Sequence, residues 1–168
     1  HGAFTVIHSG RDEEVEDERH LRQFRLTEEE FDCSLANMNR KNYSEDKMFQ
    51  ALLSHIETTV KSMVKNVIKE NGSLLKSHYK RDISILERAI SESFLRIEYV
   101  EAVSLLNKNG YPALKFGDDL VSEHEAKVVS LLNKNGAETP VFIMKYPKEI
   151  KFFNMKVSTK DLRVVLSA

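Results

Sequence analysis

Between positions 48 and 68 the large apolar residues are Met48, Phe49, Leu52, Leu53, Ile56, Val60, Met63, Val64, Val67 and Ile68, recurring every three to four residues as one face of a helix does. No strand can gather that set on one side, because its side chains alternate with a period of two. A long amphipathic helix starting near Ser44 is therefore the most secure element in the chain, and "NGS" at Asn71 to Ser73 reads as its stop. Ile85, Leu86, Ala89, Ile90 and Phe94 predict a second helix, "LRIEY" a short strand, and Val100 to Asn107 a third helix. Upstream the period changes. Ala3 to Ser9 and Arg22 to Cys33 suit strands, and the acid-rich stretch between them reads as the connection of a long antiparallel hairpin. Near the end, Val141 to Met144 reads as a strand, Tyr146 to Glu149 as a turn and Lys151 to Val157 as a second strand. Helices between antiparallel strands predict an α+β fold, an antiparallel sheet with flanking helices.

A chain of 168 residues with 41% apolar content is long enough for one domain with a true core. Its 25 basic and 26 acidic side chains leave a formal charge of -1, so no global field draws it to nucleic acid or membrane, and any nucleic-acid contact has to be local. Cys33 is the only cysteine; this excludes an internal disulfide and fits an inert thiol in a reducing compartment. No apolar run approaches the roughly 20 residues of a spanning helix, and a cytoplasmic location is the expectation.

On the second hairpin strand, alternation places Phe24, Leu26, Glu28 and Glu30 on one face. Two carboxylates at i and i+2 repel unless they meet water, cations or a polar ligand, so this face does not suit a dry core. The octapeptide "VSLLNKNG" occurs at Val103 to Gly110 and again at Val129 to Gly136, and each copy reads as a short helix with a glycine stop. Asp118, Asp119, Glu123, His124 and Glu125 lie close together in "DDLVSEHE"; Ser122 and Glu125 read there as a capping box, in preference to a metal site. Lys76, His78, Lys80 and Arg81 surround Tyr79 and read as a solvated helix end, with RNA phosphate as the alternative contact. Lys148 and Lys151 flank Phe152 and Phe153, where one aromatic ring is expected to pack in the sheet.

These segments share an order with a known family. Arg11-Asp12-Glu13, then Arg19-His20-Leu21 and Phe24, resemble motif 2 of the class II aminoacyl-tRNA synthetases of the aspartyl, asparaginyl and lysyl group. "RIEYVEAVSLL" and "FGDDLVSEHE" are similar to that family's Tyr-x-Glu-Ala helix and Gly-x-Asp-Leu segment, and "PVFIMKYPKEIKFFNM" resembles the strand pair of its asparaginyl branch. The block from Ser44 to Phe94 matches less well. The resemblance implies ATP-dependent activation of asparagine to an aminoacyl-adenylate and transfer to tRNA(Asn). It gives Arg11 the role of stabilising charge on the α-phosphate, and it places Asp12, Glu13, Arg19, His20, Leu21 and Phe24 in ATP binding, with Phe24 stacking on adenine. Glu28 and Glu30 would bind the amino acid. A carboxylate at Glu28 accepts from a side-chain amide and repels a second carboxylate, which favours asparagine over aspartate.

By the same resemblance residues 1–33 form the motif 2 hairpin, 44–95 a helical insertion and 96–168 a helix and strand-pair region. The Mg2+ ligands, motif 1 with its dimer interface, and motif 3 are expected outside this sequence, the whole enzyme being a homodimer. A tRNA-independent paralogue for asparagine synthesis or amide ligation, and a non-catalytic interaction module, are the alternatives that the residues leave open.

Overall fold

The computed structural model describes residues 2–10, 12, 21–133 and 139–168. In chain order its elements are strands β1 (Gly2–Gly10) and β2 (Gln23–Phe31), a 3-10 turn at Cys33–Ala36, helices α1 (Glu45–Ser77) and α2 (Ile83–Ser91), strand β3 (Leu95–Glu98), helices α3 (Tyr99–Asn107) and α4 (Ser122–Leu132), strand β4 (Val141–Met144) and a 3-10 turn at Lys148–Ile150. Two compact units divide the chain, one extending to Ala51 and the other running from Leu52 to Ala168. Among the described residues no helix is long and apolar enough to cross a membrane.

In the first unit β1 and β2 pair antiparallel from Gly2 opposite Phe31 to Gly10 opposite Gln23, as the alternating pattern predicts. Gly2 permits a close approach: a Cβ there would lie 2.9 Å from Cδ1 of the Phe31 ring. Asp32 ends the hairpin by capping the 3-10 turn, its Oδ1 accepting from the Ser34 N–H at 2.9 Å. Hydrogen bonds from Ser34 hold the Asp32 carboxyl down at about 2. Cys33 is half-buried.

The second unit is built on a different sheet. β3 and β4 pair in parallel, Leu95 opposite Val141 through Glu98 opposite Met144, and α3 and α4 lie in the crossover that joins them. The predicted strand at Lys151 to Val157 does not form. β4 takes β3 as its partner instead, and the later segment keeps only two isolated bridges, Pro147 with Val164 and Val157 with Val165. Ile97, Tyr99, Ala102, Val103, Leu106, Leu120, Val128, Ile143 and Tyr146 form the core between sheet and helices. The nearly unbroken apolar run "VFIM" of β4 is what a covered parallel strand requires.

Two helix boundaries differ from the sequence reading. α1 continues through Asn71 to Ser73, where Gly72 is buried within reach of Ile83 and Ile68. Packing on α2 outweighs the roughly 1 kcal/mol helical penalty of one glycine. The chain turns later, at Lys80 with φ 53°, where the Arg81 N–H closes on the Leu75 carbonyl at 3.0 Å. The expected capping box of Ser122 and Glu125 is absent: Val121 is the N-cap of α4, its carbonyl accepting from the Glu125 N–H at 3.1 Å, so Ser122 already lies in the first turn. A capping box forms instead at α3, between Glu98 and Glu101.

The repeated octapeptide performs one structural task twice. In each copy the first asparagine follows the helical Val-Ser-Leu-Leu and clamps the backbone of the loop beyond. Asn107 donates from Nδ2 to the Leu114 carbonyl at 2.9 Å and accepts at Oδ1 from the Leu114 N–H at 3.1 Å. Asn133 does the same to Thr139, at 2.9 Å in both directions. Gly110 has φ 110°, the left-handed region in which glycine is favoured; Gly136 lies outside the described residues.

One buried carboxylate ties α1 to the strand region. Glu57 is 8% exposed; its Oε1 accepts from Lys61 Nζ at 2.7 Å and from the Phe94 N–H at 3.1 Å, and Arg96 Nη2 lies 3.7 Å from Oε2. Burial pushes this carboxyl up, but the bonds from Lys61 and Phe94 and the Arg96 charge outweigh it, and the net direction is below the ordinary 4.5. The sign follows. A depressed folded-state value contributes stability above the unfolded one, and that contribution is lost as pH falls through the folded value. Glu57→Gln should lower stability by about 2 kcal/mol at neutral pH, and the gap should close as pH falls through the depressed folded-state value. Urea unfolding of both proteins across that range measures it, and a gap independent of pH would remove ionised Glu57 as its source.

Candidate functional site

The register of the hairpin fixes what shares a face with the predicted site residues. Directly opposed residues of an antiparallel pair project to the same side. Phe24 stands opposite Ser9, Leu26 opposite Ile7, Glu28 opposite Thr5 and Glu30 opposite Ala3. The face therefore grades from an aromatic and aliphatic end next to the connection towards a carboxylate end near the start of β1. Phe24 is half-buried, while Glu28 and Glu30 are exposed. At about 3.4 Å per residue, Phe24 and Glu28 stand about 14 Å apart along the strand.

Asp12 and Leu21 belong to the connection and are exposed, Leu21 at 62%. Arg11, Glu13, Arg19 and His20 lie outside the described residues. The structure therefore unites Phe24, Glu28 and Glu30 on one face and leaves the phosphate-directed part of the expected site without a described geometry. The sequence reading did not single out the β1 half of the face, Ala3, Thr5, Ile7 and Ser9. Its signal was the alternation of "AFTVIHS", which has meaning only once the register is known.

The other charged clusters have structural partners. Asp118 Oδ2 accepts from the Lys115 N–H at 2.7 Å, and Glu123 Oε1 accepts from the Tyr111 hydroxyl at 2.5 Å, a bond that raises the Tyr111 phenol above its usual range. His124 sets its ring edge-on to Tyr111 at 4.9 Å between centroids. Among the described residues no group of three or more His, Cys, Asp or Glu side chains could hold a metal ion. His78 and Tyr79 make an edge contact at the end of α1, with Lys76, Lys80 and Arg81 exposed around them.

Lys151 places Nζ 3.8 Å from the centroid of the Tyr146 ring, and burial first, then the charges of Glu125 and Asp119, push that phenol up to about 12. The expected packing of one aromatic of the Phe152 and Phe153 pair in the sheet does not occur: they are 67% and 101% exposed, since the strand meant to carry them is absent. A cleft of about 90 Å³ at the start of α3 is lined by Glu98, Phe116, Lys145, Asp161 and Arg163 among others. Glu98 pairs there with Lys145 and Asp161 with Arg163, and Lys160 adds a further positive charge to the lining. The Arg163 bonds hold the Asp161 carboxyl at about 2.

The family model for tRNA synthetases class II (D, K and N) matches residues 1–167. An asparagine--tRNA ligase of Desulforamulus reducens is 48% identical over 88 residues, 52% of this chain and 19% of that protein. The crystal structure of asparaginyl-tRNA synthetase from Pyrococcus horikoshii complexed with asparaginyl-adenylate superposes with a TM-score of 0.79 at 27% identity, over 98% of this chain and 33% of that one. The asparaginyl-tRNA synthetase of Entamoeba histolytica in complex with asparaginyl-adenylate gives 0.71 at 20% identity, a likeness of fold alone, over 98% of this chain and 33% of that one. The chain thus spans about a third of the solved enzymes that it matches.

If the graded face receives a nucleotide, its aromatic end should govern that ligand alone. Phe24→Ala should raise the KM for ATP about tenfold, in line with the stacking and burial energy of one ring, and leave the KM for the amino acid unchanged. Steady-state kinetics with each substrate varied in turn checks the separation.

Proposed function

Since this chain belongs to the class II tRNA synthetases of the D, K and N group, we propose that it forms the ATP- and amino-acid-binding hairpin region of an asparagine–tRNA ligase. The observation that carries the reading is the graded face, with Phe24 at one end and Glu28 and Glu30 at the other. An aminoacyl-adenylate has the same polarity, a flat base at one end and a polar side chain at the other. The likeness to an asparaginyl-tRNA synthetase complexed with asparaginyl-adenylate supports the choice of amino acid.

In the proposed reaction the α-carboxylate oxygen of asparagine attacks the α-phosphorus of ATP. The bond to the bridging oxygen of the β-phosphate breaks, and pyrophosphate leaves with that oxygen. A ribose hydroxyl at the end of tRNA(Asn) then attacks the activated carbonyl carbon, its proton is lost, and AMP departs. Arg11 stabilises the negative charge that grows on the α-phosphate oxygens, a task suited to a planar, permanently charged fork. Asp12, Glu13, Arg19, His20 and Leu21 surround the rest of the nucleotide, and Phe24 stacks on adenine. Glu28 accepts from the side-chain amide of asparagine, and Glu30 helps to hold the substrate.

Arg11→Ala in the natural protein should reduce asparagine-dependent ATP–pyrophosphate exchange about 100- to 1,000-fold while leaving the circular dichroism spectrum unchanged. Exchange at the original rate would remove Arg11 from the chemical step. Exchange without charging of tRNA(Asn) by the unmodified protein would point to an acceptor other than tRNA.

A further inference from the structure

We infer that the C-terminal half of α1 carries an RNA-binding face, on which Lys65, Lys69, Lys76, Lys80 and Arg81 follow a phosphate backbone and Tyr79 stacks on an unpaired base. The identity of that RNA as tRNA(Asn) rests on the ligase reading given above. Charge is the first ground. Residues 61–81 hold Lys61, Lys65, Lys69, Lys76, Lys80 and Arg81 against Glu70 alone, in a chain whose formal charge is -1. A segment of one sign in a chain that is otherwise acidic sets up a local field that draws a polyanion.

Helical geometry then sorts the cations. Lys61 belongs to the packed side, its Nζ 2.7 Å from Glu57 Oε1 and 5.3 Å from the centroid of the Phe94 ring. Lys65, Lys69 and Lys76 are exposed; at about 100° per residue they lie within about 40° of one another, in a row about 16 Å long. The row leads to Lys80 and Arg81, exposed at the turn where Lys80 has φ 53° and the Arg81 N–H closes on the Leu75 carbonyl. Among the described residues Lys65, Lys76, Lys80 and Arg81 form no ion pair. Lys69 meets Glu70 at 3.3 Å with both side chains exposed, a pair that contributes little. The next acid, Asp82, caps α2 by accepting from the Ser84 N–H at 2.9 Å.

Tyr79 adds what charge alone lacks. It is 60% exposed beside His78, and an exposed ring next to a row of cations is the combination that holds unpaired nucleotides, the backbone by charge and the base by stacking. An anionic bilayer fits this helix less well. Its exposed apolar residues Val60, Met63 and Val67 lie about 160° round from the lysine row, so a membrane that buried them would face away from the charges.

Three variants of the natural protein test this. They are read by anisotropy of labelled tRNA(Asn), by its charging, and by asparagine-dependent ATP–pyrophosphate exchange, which needs no tRNA. Lys65→Gln combined with Lys76→Gln and Arg81→Gln should raise the Kd and KM for tRNA about 10- to 100-fold and reduce the slope of log Kd against log salt by about 3, with exchange unchanged. Tyr79→Ala should raise the same constants about tenfold and leave the slope as it was. Lys41→Gln with Lys108→Gln and Lys115→Gln removes equal charge elsewhere and should change neither. Undiminished tRNA binding in the first variant would overturn the proposal, as would equal weakening by the third. A fall in exchange together with charging would assign these side chains to the fold and overturn it too, and loss of binding to phosphatidylserine vesicles with tRNA binding intact would give the face to a membrane instead. No exchange by the natural protein, with tRNA binding still lost in the first variant, would overturn the ligase reading and leave the RNA-binding face standing.

Discussion

The second unit depends on the phenol of Tyr99. This residue opens α3 at the point where β3 ends, and it is fully buried. Its hydroxyl donates to the Asp118 carbonyl at 2.6 Å and accepts from the Gly117 N–H at 3.2 Å, so one side chain satisfies backbone groups of a loop that has no ladder of its own. Its ring meets Tyr146 at 5.3 Å and Phe116 at 5.8 Å, joining the segments after β4 and before α4 to the start of α3. Gly117 has φ 105°, the left-handed geometry that turns its N–H towards the phenol. Burial keeps that phenol protonated beyond its usual range, so the donor it presents does not vary with pH near neutrality.

The elements legible in the sequence were those whose side-chain period is set by local geometry. β1 and β2 alternate, α1 to α3 recur at helical spacing, and apart from the C-terminal end of α1 the structure places them within a few residues of the expected limits. What failed depended on partners distant in the chain. "IKFFNMKV" has the composition of a strand, yet β4 pairs in parallel with β3 and this segment makes only an isolated bridge, Val157 with Val165. Asn71 to Ser73 has the composition of a stop, yet Ile83 and Ile68 stand close to Gly72 and α1 runs on. Ser122 and Glu125 have the spacing of a capping box, but the shift of the N-cap to Val121 removes the geometry that the spacing presupposes.

The candidate site was legible by a different route. Phe24, Glu28 and Glu30 share a face by alternation alone, and the register confirms that much. Their connection to a nucleotide came from resemblance, since nothing in a phenylalanine four residues from a glutamate specifies adenine. The β1 contribution was not legible, because a strand's partners cannot be assigned before its register is fixed. The asparagine clamps at Asn107 and Asn133 were likewise visible only as a repeated word, and their physical meaning appeared with the loops that they hold.

On the proposed reading, the carboxylate end of the hairpin face also determines how an enzyme could separate asparagine from aspartate. The two differ by an amide in place of a carboxylate and scarcely in size, so a pocket of fixed volume gains little from shape. One methylene is worth only about 1–3 kcal/mol even where sizes do differ. Charge is the stronger lever, since juxtaposed like charges cost several kcal/mol. Glu28 supplies that repulsion and an acceptor for the amide with the same atoms, and Glu30 two residues along adds to the negative field. The same arrangement has a cost, because the two carboxylates also repel one another and would swing apart into solvent if unrestrained.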